Sequence, residues 1–273
     1  MTGVQKVIKY CAIAFAILLV VNIVFGILWL VGSLSGILGL TSNDDNIMEN
    51  MEVIGSEETI INKLKIELDF TSLEIKRGED FKVETNNSKV KYRNKDGTIE
   101  IEEENNFWNY KAGNNDSSVV IYIPEIMNAL QEIDIESSGG VVNINDLQVN
   151  KFDLEQGAGK VLIENLIVTE KSDIAGGTGK MDILSSSFNN LDLNLGVGEF
   201  NLNAILTGNN EIESGLGSVN INLIDGLENY KKKKKKGLGT IKINDEEISN
   251  NKIYGNGNTN INVEGGIVSI SIN

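Results

Sequence analysis

From Ile60 onward the chain alternates apolar and polar residues with a period of two. Leu64-x-Ile66-x-Leu68, Leu73-x-Ile75, Phe81-x-Val83, Ile99-x-Ile101 and Val119-x-Ile121-x-Ile123 are the first such runs. Successive side chains of a strand point to opposite faces, so each run reads as a β-strand with one buried face. Lys95-Asp96-Gly97 is a turn signal ahead of Ile99, and Pro124, the only proline, closes the last of these runs. The pattern predicts an all-β fold, with residues 60–128 as an irregular β cap and first coils.

Beyond residue 129 the alternation acquires a marker. Gly157-Ala158-Gly159, Gly177-Thr178-Gly179, Gly196-Val197-Gly198 and Gly215-Leu216-Gly217 recur 19 or 20 residues apart. Ser138-Gly139-Gly140 precedes them by one period, and Gly237-Leu238-Gly239 follows 22 residues after Gly215. A fixed period of this length is the signature of a solenoid. Aligned on the glycines, Val142, Val161, Met181, Phe200, Val219 and Ile241 share one position, and Ile144, Ile163, Ile183, Leu202, Ile221 and Ile243 a second. Ile135, Leu154, Ile174, Leu193 and Ile212 share a third. The alignment predicts a single-chain parallel β-solenoid of about 19 residues per coil, two strands per coil around a glycine turn. Residues 129–273 form this regular part, with insertions near 228–236 and 245–258.

The same alignment fixes outward positions. Asp134, Asp153, Asp173, Asp192 and Glu211 share one, and in register they form a column of carboxylates. A solvated charged face is one reading; a column of oxygen ligands for a divalent cation such as Ca²⁺ is the other. The local stretch Gly176-Gly177-Thr178-Gly179-Lys180-Met181-Asp182 departs from a calcium β-roll repeat, which wants Asp where Met181 stands and a nine-residue period. Asn143, Asn201 and Asn220 share another outward position suited to amide ladders. Lys231 to Lys236 interrupt the pattern, since Lys232 and Lys234 fall on interior positions. Unpaired buried ammonium groups are costly, so the alignment predicts a looped-out, solvated segment. The alternative is a cationic patch for anionic wall polymer or lipid headgroups. Phe107, Trp108 and Tyr110 read as part of the cap or as a sugar-stacking platform.

Upstream the pattern changes character. Residues 10–40 are almost wholly apolar, long enough to span a bilayer as a helix. Lys6 and Lys9 precede this run, and all 39 acidic residues of the chain follow it. The positive-inside rule then places residues 1–9 in the cytoplasm, 10–40 as an uncleaved transmembrane anchor, 41–59 as a linker and the rest outside the cell membrane.

Composition narrows the chemistry. The 273 residues carry 24 basic and 39 acidic side chains, a net charge of −15, which opposes nucleic-acid binding. The chain has no His and one Cys, Cys11. That excludes a Ser-His-Asp triad, a Cys-His pair, His-based metal sites and an intramolecular disulfide. No residue is assigned as catalytic and no cofactor is expected. A glycosidase-like pair of carboxylates needs neither His nor Cys, so a polysaccharide-acting β-helix enzyme stays open, with the insertions near Lys233 and after Asp245 the places to look. A calcium-dependent adhesin stays open on the acidic column. The reading that uses most of the chain is a non-enzymatic interaction or scaffold module, whose partners are the membrane and a cell-wall polymer or envelope protein.

The order of features resembles the bacterial putative-adhesin (toast-rack) family of β-strand-repeat cell-envelope domains. The resembling residues are Leu64-Lys65-Ile66-Glu67-Leu68, Asp96-Gly97-Thr98-Ile99-Glu100-Ile101, Val120-Ile121-Tyr122-Ile123-Pro124 and the Gly-x-Gly coils, together covering nearly all of residues 60–273. The resemblance implies a membrane-tethered domain on the outer side of the cell, tied to envelope-stress response. It carries over no catalytic motif.

Overall fold

The computed structural model describes residues 51–57, 61–104, 117–127, 130–234, 240–243, 246–247 and 253–273. The apolar run 10–40, the aromatic cluster of Phe107, Trp108 and Tyr110, and Gly237-Leu238-Gly239 lie outside them. Among the described residues no helix is long and apolar enough to cross a membrane, and the structure is all-β.

The strands run in chain order as β1 (Glu52–Glu57), β2 (Lys63–Leu68), β3 (Ser72–Gly78), β4 (Phe81–Thr85), β5 (Val90–Lys95), β6 (Thr98–Glu103) and β7 (Ser118–Pro124). Five long strands follow: β8 (Leu130–Asn145), β9 (Gln148–Glu164), β10 (Ile167–Asn189), β11 (Leu191–Thr207) and β12 (Asn209–Leu223). The end is built from β13 (Tyr230–Lys234), β14 (Thr240–Ile243), β15 (Glu246–Glu247), β16 (Ile253–Tyr254) and β17 (Thr259–Ile272).

β8 to β12 stack in parallel, each coil in register with the next, so Ile135, Leu154, Ile174, Leu193 and Ile212 form one interior column. All five are fully buried, as are Ile144, Ile163 and Ile183 across the core. Burying each such side chain contributes about 1.5–3 kcal/mol, and no single coil could do it alone. The alternation of the sequence is therefore the architecture itself.

The glycine corners bend the strands without ending them. Each long strand passes through its Gly-x-Gly triplet and keeps pairing on both sides. At the second glycine, φ lies between +138° and +155° in Gly159, Gly179, Gly198 and Gly217, a region L side chains rarely adopt. A Cβ on Gly179 would sit 1.9 Å from the Gly159 carbonyl oxygen. Backbone touches backbone here, and only glycine permits it.

Two expectations need correction. First, a coil holds more than two runs: Ser186 to Asn189 stack on Ala204 to Thr207 as a short third run, with Phe188 and Leu206 buried beneath it. It carries no glycine marker, so the alignment passed over it. Second, the coils do not stack in chain order at the ends. β17 lies between β12 and the pair β13/β14 (Ile212↔Val263↔Lys234 and Val219↔Ile270↔Ile241). At the other end β2 lies between β6 and β8, and β3 between β7 and β8. The rungs nearest the two chain ends are thus sandwiched, and internal segments held at both their ends take the rims. Antiparallel β4, β5 and β1 cover one rim and β15 and β16 the other. Open strand edges are a weak point of a solenoid, and this order shields them. β5 and β6 are joined by the Asp96-Gly97 turn, with φ +52° and +80°, matching a two-residue hairpin turn.

The lysine run also departs from expectation. Tyr230–Lys234 is a strand, and Lys232 is buried, only 4% exposed, in the interior column of Ile261. Its Nζ donates a 2.6 Å hydrogen bond to the Leu227 carbonyl, which meets part of the burial cost. Desolvation lowers its pKa, with Glu228 opposing. Being next to the rim made this interior position tolerable.

Candidate functional site

The outward positions of the coils make two faces and one corner. On the face preceding the glycines, register places Lys65, Asp134, Asp153, Asp173, Asp192, Glu211, Asn262 and Lys233 in one column. All five acidic residues expected there are in it. Adjacent coils lie about 4.8 Å apart. Partial desolvation, and then the Asp173 and Asp134 carboxylates on either side, raise the pKa of Asp153. Lysines temper the acidic stretch: at its first rung Lys63 reaches Glu132 at 2.6 Å and Asp134 at 3.8 Å, and in mid-column Lys171 reaches Asp173 at 3.3 Å.

A second acidic column, two residues further along each strand, went unread in the sequence. It holds Glu67, Glu136, Glu155, Ala175, Asn194, Glu213 and Glu264. The signal was available, because a period of two puts Glu136, Glu155 and Glu213 on the same face as the first column. Ala175 and Asn194 break the charge in mid-column. Among the described residues, no three acidic side chains converge on a point that could hold a metal ion.

The face following the glycines is an amide surface. Asn220 Nδ2 donates to Asn201 Oδ1 at 2.9 Å, and Asn201 Nδ2 donates to Asp182 Oδ1 at 2.6 Å. Leu162 and Asp182 separate Asn143 from that ladder. Unanticipated amide rungs close the coil turns, with Asn165 on Asp146 at 2.8 Å and Asn260 on Asn209 at 2.8 Å. Lys180 bridges Asp182 at 3.3 Å and Glu199 at 3.5 Å.

At the corner, the residue between the glycines points outward. Gly139, Ala158, Thr178, Val197, Leu216 and Ile267 stack in register and grow larger toward the C-terminal end. Val197, Leu216 and Ile267 are 47%, 44% and 63% exposed. Beside them the glycines leave a recess of about 320 Å³ lined by Asn194, Gly196, Glu213, Ser214, Gly215 and Glu264.

The interior holds two unpartnered polar atoms among the described residues, Ser172 Oγ and Gln156 Oε1. The Gln156 amide donates to the Ala158 carbonyl at 2.9 Å and borders a space of about 30 Å³ also lined by Gly176, Met181 and Leu195. Tyr230 is buried, its hydroxyl held between the Leu206 amide and the Asp225 carboxylate. These are packing features of the interior.

The sequence matches the family described as Toastrack DUF4097 over residues 61–273. No curated protein matches it. Two solved structures are similar. One is described as a "putative adhesin" from Bacteroides fragilis NCTC 9343, with 12% identity, a TM-score of 0.43, and 82% of this chain and 98% of that chain covered. The other is described as a "putative cell adhesion protein" from Clostridium sporogenes ATCC 15579, with 20% identity, a TM-score of 0.35, and again 82% and 98% covered.

Proposed function

This chain belongs to the Toastrack DUF4097 family, and on that premise we propose that it is a non-enzymatic interaction or scaffold module of the cell envelope, held at the membrane by residues 10–40. The observation that carries the reading is the arrangement of outward side chains. Carboxylates, amides and aliphatic groups repeat as columns along the solenoid axis rather than converging on one point. Columns suit an extended partner that makes the same weak contact many times, as in multivalent binding. The acidic faces repel nucleic acid and favour a cationic partner such as an envelope protein or a cationic wall polymer.

The tether enters at one end. β1 (Glu52–Glu57) lies inside the stretch 41–59 expected as linker, and it pairs with β4, which pairs with β7 on the N-terminal rim. In this arrangement the N-terminus is cytoplasmic, the solenoid stands outside the membrane, and its C-terminal coils are presented furthest from the bilayer.

Photocrosslinking in living cells tests the interaction role. A crosslinking amino acid is placed at Asp173, Asn201 or Leu216, one on each outward surface. The reading expects a discrete adduct from one surface and none from the others. Absence of adducts from all three, with turnover of an acidic glycan by the purified chain, would replace it with the enzymatic reading.

A further inference from the structure

We propose that the glycine corner of β11, β12 and β17 is a docking surface for a basic amphipathic helix of a partner protein. The inference rests on the interaction-module reading and names its partner.

The first support is the ridge. Val197, Leu216 and Ile267 stand on three consecutive rungs in register, each between 44% and 63% exposed. Scattered exposed aliphatics are ordinary, but an aligned row marks a contact surface. Nothing in the fold asks for them, since Gly139, Ala158 and Thr178 occupy the same column without a large apolar group.

The second support is the recess beside the ridge. Gly196 and Gly215 line it, and a Cβ at either would meet the preceding coil's carbonyl oxygen, at 2.2 Å and 2.6 Å, so close coil approach keeps this edge of the recess free of side chains. Glu213 and Glu264 line it, and Asp192 and Glu211 lie in the adjoining column. A lysine or arginine head entering the recess finds carboxylates while its neighbours cover the ridge.

Spacing selects the secondary structure of the occupant. The ridge repeats about every 4.8 Å. An α-helix lying along the axis repeats about every 5.4 Å per turn, close enough to place one aliphatic side chain on each of three rungs. A strand in that direction repeats same-face residues about every 6.6–6.8 Å and falls out of register by the third rung. A helix with a Leu or Ile stripe flanked by Lys or Arg fits both chemistry and geometry.

The test uses the full chain in zwitterionic nanodiscs, with empty discs subtracted. The probe is an 18-residue Leu/Ala/Lys peptide with its leucines in one helical stripe, compared with a scrambled peptide of identical composition. Fluorescence anisotropy is expected to show the striped peptide binding about tenfold tighter or better. The exposed double substitution Leu216→Ser with Ile267→Ser removes that preference, and Val197→Ser weakens it. Glu213→Gln with Glu264→Gln weakens both peptides and flattens the salt dependence. Equal binding of the two peptides, or a preference that survives Leu216→Ser with Ile267→Ser, overturns the proposal. So does sedimentation showing a dimer that Leu216→Ser dissociates, because the occupant is then a second copy. Crosslinks from Asp173 or Asn201 are unaffected by such a failure, which separates it from failure of the interaction-module reading.

Discussion

Gly179 and Gly176 lie three residues apart on the same corner, and alanine at each should have opposite consequences. At Gly179 the backbone has φ +142°, and the added Cβ would meet the Gly159 carbonyl oxygen at 1.9 Å and its carbon at 2.9 Å. Real Cβ atoms essentially never approach within 3.0 Å, so the two coils must separate by roughly 1 Å at this point. Adjacent strands lie about 4.8 Å apart. A shift of that size breaks two or three ladder hydrogen bonds around the corner, each worth about 1 kcal/mol net. The unfavourable φ adds about 1–2 kcal/mol, and reduced freedom of the unfolded chain returns about 0.4–1 kcal/mol. Gly179→Ala should therefore cost about 2–4.5 kcal/mol, a large part of the stability of a typical domain. At Gly176 the new Cβ meets only the ends of flexible side chains, Met181 Cε at 3.3 Å and Leu195 Cδ2 at 3.4 Å, and φ is not positive. Gly176→Ala should be neutral or stabilise by up to about 1 kcal/mol. Urea unfolding followed by far-ultraviolet circular dichroism measures both. A Gly179→Ala midpoint equal to wild type would refute the steric account of the corner, as would equal losses at the two positions.

Three further outcomes follow from the structure. Asp153→Asn should stabilise by a few tenths of a kcal/mol at pH 7. The pKa of Asp153 is raised in the folded chain, by desolvation and then by Asp173 and Asp134, so the stabilising contribution of its proton is complete below the ordinary aspartate value of about 3.9 and is lost as pH rises through the raised one. Thermal melts at pH 3 and pH 7 should show the gain only at pH 7, shrinking with added salt. Lys232→Met should stabilise by about 1 kcal/mol at neutral pH, because a desolvated ammonium is replaced by an apolar side chain of similar length. The folded pKa of Lys232 is lowered, so the unfolded chain binds its proton more tightly and wild-type stability rises with pH toward the ordinary lysine value of about 10.4. Melts from pH 7 to 10 should show that rise in wild type and lose its Lys232 share in the variant. Deleting residues 259–273 removes a rung that lies between β12 and β13/β14; hydrogen exchange should show protection lost across Tyr230–Ile243 as well, where a coil order following the chain would keep it.

The interior of this fold was open to reading because a strand period and a glycine marker are both local. Ile135, Leu154 and Ile174 could be placed on one column from spacing alone, and so could Asp134, Asp153 and Asp173. The third run of each coil stayed hidden because Phe188 and Leu206 carry no marker and sit at irregular offsets. The insertion of β17 beside β12 stayed hidden for a different reason. Identical coil patterns pair equally well with any neighbour, so register is encoded and rung order is not; closure of the rims by internal segments decides it. The burial of Lys232 is not legible in the sequence because the Leu227 carbonyl that meets part of its desolvation cost reaches it only in the folded turn. The corner ridge stays hidden because the position between the glycines has no constant character, being Gly139, Ala158 and Thr178 before Val197, Leu216 and Ile267.

The claim that joins anchor, solenoid and surface is that the coils are displayed outside the membrane. It is tested most directly by labelling intact cells with a membrane-impermeant maleimide, with Cys11→Ser as background. Ser269→Cys places a thiol on an exposed position of β17, and Thr2→Cys marks the N-terminus. The account predicts labelling of Ser269→Cys in intact cells and of Thr2→Cys only after permeabilisation. Labelling of Thr2→Cys in intact cells with Ser269→Cys protected would contradict it.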